Sequence, residues 1–573
     1  MKVSTFILLI SLTPLILIAQ QTPFEKSNGT ETATYFQAVD FYKTLAAKSG
    51  KILIKSMGPT DAGYPLHLVL LSEDGAFEPA RWHQQNKVVI LVNNGIHPGE
   101  PDGIDASMML VRDLVSNKIQ LPANVVIGFI PVYNIGGCLN RNSFSRVNQN
   151  GPVSYGFRGN SQNLDLNRDF TKCDTKDAKS FAEIFHYLDP EIQVDNHVSD
   201  GADYQATMTL ITTQYDKLGG ELGLFLKNTF EPSLFADMKG KGWDMIPYVN
   251  FETGNPEKGM EQFYDPPRYS SGYAALFQTI SFMPETHMLK PFADRVRSTY
   301  ELMKTMLKEA SVHGKELISL RNTLRETVKT QQSFALGWKT DSTKYTTIPF
   351  RGYEQGSRTS LATGLKAMYY DRAKPYTKQV TYYNAEIPLT QVVKPTYYII
   401  PQGWNSVLDL LKLNGVVMQA LKKDSAVKVT VYHIDDYKSA IRPYEKHHKN
   451  TGVKISISEQ KINFLKGDML IPLNQVANRY IIEMLEPEGD DSFFSWNFFD
   501  GVLQQKEGYS DYRWEEKAAE VLIKDPALKI RLEAKKASDP KFALNAGDQL
   551  NFIYKNSPYY EPAHLRYPVY RIP

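Results

Sequence analysis

Residues 87–102 read KVVILVNNGIHPGEPD, and the fold turns on how that stretch is read. From Val88 to Val92 the chain is an unbroken run of β-branched residues and leucine, the pattern of a strand buried on both faces. Asn93, Asn94 and Gly95 break the run, and His97-Pro98-Gly99-Glu100 follows at once. Open α/β sheets place their chemistry at the carboxyl ends of such strands. His97 and Glu100 offer an imidazole and a carboxylate there, two of the ligand types zinc accepts. A single His-x-x-Glu is common, so its weight depends on what surrounds it.

On the amino side, residues 41–47 read as a short helix. Residues 52–54 and 66–71 read as strands joined by the turn-rich SMGPTDAGYP. On the carboxyl side, residues 102–117 form a helix with Ile104, Met108, Val111 and Val115 on one face and Asp102 placed to cap its start. Residues 124–130 are a second buried strand. Residues 177–188 are an amphipathic helix with Phe181, Ile184, Phe185 and Leu188 inward and Pro190 beyond its end. Residues 192–196 are a third strand. This alternation predicts an α/β fold with a mixed, mostly parallel sheet covered by helices.

The third strand runs into DNHVSDG, residues 195–201, so a second histidine, His197, stands at a strand's carboxyl end. If the strands are neighbours, His97, Glu100 and His197 meet. Three such ligands leave a fourth tetrahedral position for water, as in a catalytic zinc site. Between them lies NLDLNRD, residues 163–169. Arg168 beside Asn167 can grip a carboxylate, although ordinary surface ion pairing is the plainer reading of that pair alone.

With these motifs in order, the chain resembles the M14-type zinc carboxypeptidases. HPGE matches the family's first zinc motif, LDLNRDF its Asn-Arg motif, DNHVSDG its third-ligand strand, and FMPETH the strand ending in its catalytic glutamate. The resemblance runs from GYPLHLVLLS to about residue 310, a little over half the chain. It implies one zinc ion per chain on His97, Glu100 and His197, with Asp165 holding His97 in its tautomer. It also implies Asn167 and Arg168 as the grip on a peptide's free carboxyl terminus. Glu285 becomes the general base and Arg146 the arginine that polarises the scissile carbonyl, with Arg141 as its rival. Tyr269, ahead of Tyr264 and Tyr273, becomes the tyrosine over the substrate. One departure is Tyr133-Asn134-Ile135-Gly136-Gly137, where the family carries Asn-Pro-Asp-Gly. No zymogen domain is expected before HPGE.

Residues 1–19 have the Lys2-led, apolar character of a cleaved signal peptide rather than a membrane anchor, so export to a periplasm or the medium is expected. A formal net charge of +2 gives no electrostatic case for nucleic acid or an anionic membrane. In an oxidising compartment Cys138 and Cys173 could pair or stay as buried thiols. Residues 297–330 read as long helical segments. Residues 335–573 read as a β-rich accessory domain beyond a catalytic domain spanning 20–330, with strands at 397–400 and 427–432 and helices at 405–413 and 513–523. His447-His448 reads as a solvated loop and residues 488–491 as an exposed acidic turn. Two other functions fit the same residues: a zinc deacylase of small N-acyl amino acids, and a non-catalytic peptide binder. The complete Asn-Arg motif and Glu285 favour the peptidase.

Overall fold

The structure, a computed structural model, describes residues 20–251 and 256–573. The expected signal peptide lies outside the described residues. Ten strands build and flank the amino-terminal half: β1 (Ile52–Pro59), β2 (Pro65–Leu71), β3 (Val88–Asn93), β4 (Val125–Ile130), β5 (Ile192–Asp195), β6 (His197–Ser199), β7 (Met208–Thr212), β8 (Ile246–Pro247), β9 (Met260–Glu261) and β10 (Ile280–His287). Nine of them form one sheet in the order β1-β2-β4-β3-β5-β10-β7-β8, with β6 continuing β5's side of β10. The centre, β4-β3-β5-β10, is parallel, and antiparallel pairings fall toward the edges. Every residue of β3, β4, β5 and β10 is buried. This is why β3 and β4 read as near-continuous apolar runs, while β5 and β10 bury polar side chains such as Gln193, Asp195 and Glu285.

The helix Asp102–Val115 packs against the 39-residue helix Phe292–Thr330, which closes the sheet as one continuous element. Asp102 does not cap its helix. Pro101 takes the cap position, and Asp102 instead accepts hydrogen bonds from Thr286 and from the buried Arg295, 3.0 Å from Nε. Arg295 also donates to the carbonyls of Met288, Lys290 and Gly151, so one buried cation fixes the loops around the strand ends. Cys138 and Cys173 are both buried and free, so no bond joins them. Burial raises both thiol pKa values, that of Cys138 to about 11.

Beyond residue 330 the β-rich character holds. β11 (Ser333–Thr340) pairs with β14 (Glu386–Val393). β12 (Thr346–Thr359) and β13 (Lys366–Tyr383) form a long hairpin, and the end of β13 pairs with β9. A six-stranded sheet combines β15 (Tyr397–Ile400), β16 (Gln419–Ala420), β17 (Ser425–Ser439), β18 (Asn450–Phe464), β19 (Met469–Pro472) and β20 (Tyr570–Ile572). The helix Asn405–Leu413 stands where it was expected. The apolar core is continuous from the large sheet into this region, with Phe277 stacked on Tyr480 at 5.4 Å. Residues 488–491 are not an exposed acidic turn. Asp491 is buried, ion-paired to Arg268 at 3.1 Å and to Lys449 at 2.9 Å, and only Glu488 faces solvent.

Candidate active site

Gly95, with φ +65°, takes the left-handed turn that ends β3. The chain then folds tightly, the Glu100 N–H donating to the His97 carbonyl at 2.8 Å. His197 opens β6 and lies in register with Glu285 on β10. Glu100 sits between the histidines: its Oε1 is 3.1 Å from His97 Nδ1 and its Oε2 3.0 Å from His197 Nδ1, while the Val198 N–H donates to Oε2 at 2.8 Å. The far nitrogens meet carboxylates, His97 Nε2 at 2.8 Å from Asp165 and His197 Nε2 at 3.2 Å from Asp195. Each imidazole is thus bracketed by carboxylates, which only accept: each Nε2 faces an aspartate and each Nδ1 faces Glu100, the side that a metal ion would occupy.

Among the described residues, His97, Glu100 and His197 are the group whose donor atoms converge, all within 4.8 Å of one another and all buried. Two imidazole nitrogens and a carboxylate gathered out of water call for a positive charge between them, and the set is one zinc accepts. Burial disfavours the charged forms of both groups. Even so, Arg146 and His97 hold Glu100 well below the carboxylate range, and Asp195 raises His197 well above the imidazole range.

Glu285 opens onto the same cleft. Burial pushes its carboxyl up to about 8, against the pull of the His197 charge and with Glu100 adding to the rise. Arg146 Nη2 lies 2.5 Å from Glu100 Oε1. Gly99 makes room for it, since a Cβ there would fall 2.4 Å from Arg146 Nε. Arg141 points away from the cleft, to the carbonyl of Ser154 at 2.8 Å. A third arginine, Arg158, was missed in the sequence. It lines the cleft, donates to Asp165 Oδ2 at 2.9 Å and lies 3.7 Å from Glu100 Oε1. Its signal was local: it precedes Asn167 by nine residues in RGNSQNLDLN. Asn134, within the departing Tyr133–Gly137 segment, ties the two sides together by donating to the carbonyls of Ile96 and Arg158 at 3.2 and 2.9 Å.

Asp165 starts a short turn, Leu166–Arg168, by accepting the Asn167 N–H at 2.9 Å. The Arg168 guanidinium lies 4.4 Å over the Tyr269 ring, and the buried Asn167 Oδ1 has no partner among the described residues. Tyr264 and Tyr273 are spent elsewhere, on Asp490 and Asn414. The resulting cleft, about 270 Å³, brings together His97, Glu100, His197, Glu285, Arg146, Arg158, Asn167, Arg168 and Tyr269. Asp165 stands behind His97, and the far wall is apolar, made by Ile211, Tyr248, Phe263 and Met283.

Residues 38–216 match the zinc carboxypeptidase family, peptidase M14. Carboxypeptidase 2 of Trichophyton tonsurans is 21% identical over 497 residues, covering 82% of this chain and 85% of that protein. Carboxypeptidase 2 of Trichophyton rubrum is 22% identical over 492 residues, with the same coverage of 82% and 85%. Among solved structures, the carboxypeptidase A of Helicoverpa armigera is 14% identical over 49% of this chain and 74% of its own, with a TM-score of 0.37. A metallo-carboxypeptidase from Pseudomonas aeruginosa is 12% identical over 50% and 70%, also with a TM-score of 0.37. Among the described residues, no helix is long and apolar enough to cross a membrane.

Proposed function

We propose, from the match of residues 38–216 to the zinc carboxypeptidase family, that this chain removes the last residue from peptides with a free carboxyl terminus. One observation carries the reading: the converged His97, Glu100 and His197 share a cleft with Glu285 and with the Asn167–Arg168 pair. His97, Glu100 and His197 would hold one zinc ion, which when bound supplies Lewis acidity to a water and to the scissile carbonyl. Asp165 and Asp195 keep the two imidazoles in the right tautomer. Glu285 accepts the proton of the attacking water and delivers it to the leaving amine. Arg146 and Arg158 bring positive charge to the side of the cleft where an oxyanion develops. Arg168 and the Asn167 amide take the terminal carboxylate, with Tyr269 stacked behind the guanidinium. Holding that terminus sets the scissile bond beside the metal ligands.

Residues 20–330 are the catalytic unit and 335–573 an accessory unit in this reading. With residues 1–19 as a signal peptide, the enzyme works in a periplasm or the medium. The test is kcat/KM for one peptide as free acid and as amide, with zinc measured on the same preparation. The free acid should be cleaved at least about 100-fold faster, because an amide cannot accept the bidentate pair and leaves a buried charge unsatisfied. Equal rates would overturn the exopeptidase reading and leave the metal site standing.

A further inference from the structure

The connection between β17 and β18 lies more than 270 residues along the chain from Asn167 and Arg168, yet it reaches their turn. The Tyr444 hydroxyl accepts from Arg168 Nε at 2.8 Å. The Glu445 carboxylate accepts the backbone N–H of Asp165, also at 2.8 Å. His447 Nε2 lies 2.8 Å from Asp174, just past the same turn. Glu445 and Lys446 both hold positive φ, +49° and +61°. They are the central pair of a two-residue hairpin turn, in which the N–H groups of Tyr444 and His447 donate to each other's carbonyls at 2.8 and 3.0 Å, and a type I′ turn needs positive φ at both positions. The ring of Tyr444 is stacked on Trp496, with centroids 6.1 Å apart and planes at 16°. Arg268, the neighbour of Tyr269, lies over the same Trp496 ring and pairs with the buried Asp491. Both segments that supply the carboxylate end of the cleft therefore hang on the C-terminal region.

We infer that the 444–447 tip is the positioning element for Arg168, so that the C-terminal region sets affinity for the substrate's terminal carboxylate. The inference rests on the carboxypeptidase reading above. Arg168 has two of its donor groups committed, Nε to Tyr444 and Nη1 to the Asn167 carbonyl. A five-donor fork held at two points keeps Nη2 in a fixed direction, and bidentate recognition depends on that direction. Tyr444 and Glu445 act through Arg168 and its turn, not on the reacting atoms.

The test uses the full-length zinc enzyme and a peptide in free-acid and amide forms. Tyr444→Phe keeps the ring on Trp496 and removes only the hydroxyl. It should raise KM for the free acid about tenfold, with kcat within about twofold and the slow amide rate unchanged. Glu445→Ala should raise KM likewise, and Glu445→Gln, which keeps an oxygen acceptor, should restore it. If the wild type prefers the free acid while KM stays unchanged in Tyr444→Phe and Glu445→Ala, this inference alone is overturned. It is also overturned if kcat, zinc content and both substrates fall together, since the tip would then be merely structural. A wild type with no preference for the free acid overturns the carboxypeptidase reading, and this inference with it.

Discussion

Two histidine-bearing turns invite comparison, one holding His97 opposite His197 and the other holding His447. In both, an imidazole Nε2 lies 2.8 Å from an aspartate, Asp165 in the first and Asp174 in the second. They differ in which charges gather around the pair. The Nδ1 atoms of His97 and His197 converge on Glu100, so donors accumulate with no lysine among them. Asp174 already has Lys172 at 2.7 Å and Lys446 at 3.5 Å, and His447 packs against Trp496 and Phe498. Among the described residues, no three metal-ligating groups converge at His447. A histidine–aspartate pair is therefore no sign of a metal centre by itself. The sign is a second and third donor converging on the same point, as His97, Glu100 and His197 do even with Arg146 beside Glu100.

The largest expected effect tests that contrast directly. His197→Ala should lower bound zinc from about one per chain to a small fraction and abolish turnover, whereas His447→Ala should retain its zinc. Metal analysis of the two purified variants side by side decides it, and stoichiometric zinc in His197→Ala would erase the distinction. Next comes Glu285→Gln, which should keep zinc and fold while kcat drops about 10²–10⁴-fold, the usual worth of a general base. A kcat near that of the wild type would remove Glu285 from the mechanism. Smaller again is Arg168→Ala. On a free-acid peptide it should cost about 10²-fold in kcat/KM, mostly through KM, with little change on the amide. Equal losses on both substrates would mean that Arg168 supports the fold rather than the carboxylate.

The same contrast explains what was legible in the sequence. Apolar runs announced β3 and β4 because a central parallel strand is buried on both faces, a property local to the strand. His97, Glu100 and His197 were legible because each stands at such a strand's end. Arg158 was legible in principle, nine residues ahead of Asn167, but two other arginines in the same loop competed for the role. What escaped was long-range. Asp102 has the residue type of a cap, yet its partner Arg295 lies 193 positions away. Asp491 sits in an acidic run that suggests exposure, yet Arg268, 223 positions earlier, draws it inside. His447 looked solvated because Asp174 and Trp496 are brought to it only by the completed fold. For the cysteines the sequence left a bond and two buried thiols open, and the fold gives the buried thiols.

The smallest effect sharpens the comparison on the His447 side. Burial alone would raise the Asp174 pKa, but the hydrogen bond from His447 and the charge of Lys172 outweigh it and bring it from 3.8 down to about 2. A carboxylate whose folded pKa lies below its unfolded value adds stability above the unfolded pKa and loses it as pH falls through the folded one. The window here runs from about pH 4 down to about pH 2, and the partners of Asp174 together contribute about 2 kcal/mol above it. His447 supplies a share of that, so His447→Ala should be less stable than the wild type by about 1 kcal/mol near neutral pH. As Asp174 takes up its proton in acid the share vanishes, and the two stability curves should draw together. Thermal unfolding of both proteins at about pH 6, 4 and 2.5 measures the gap. A gap that stayed constant or widened in acid would mean that His447 stabilises the tip through its packing on Trp496 and Phe498, with its bond to Asp174 incidental.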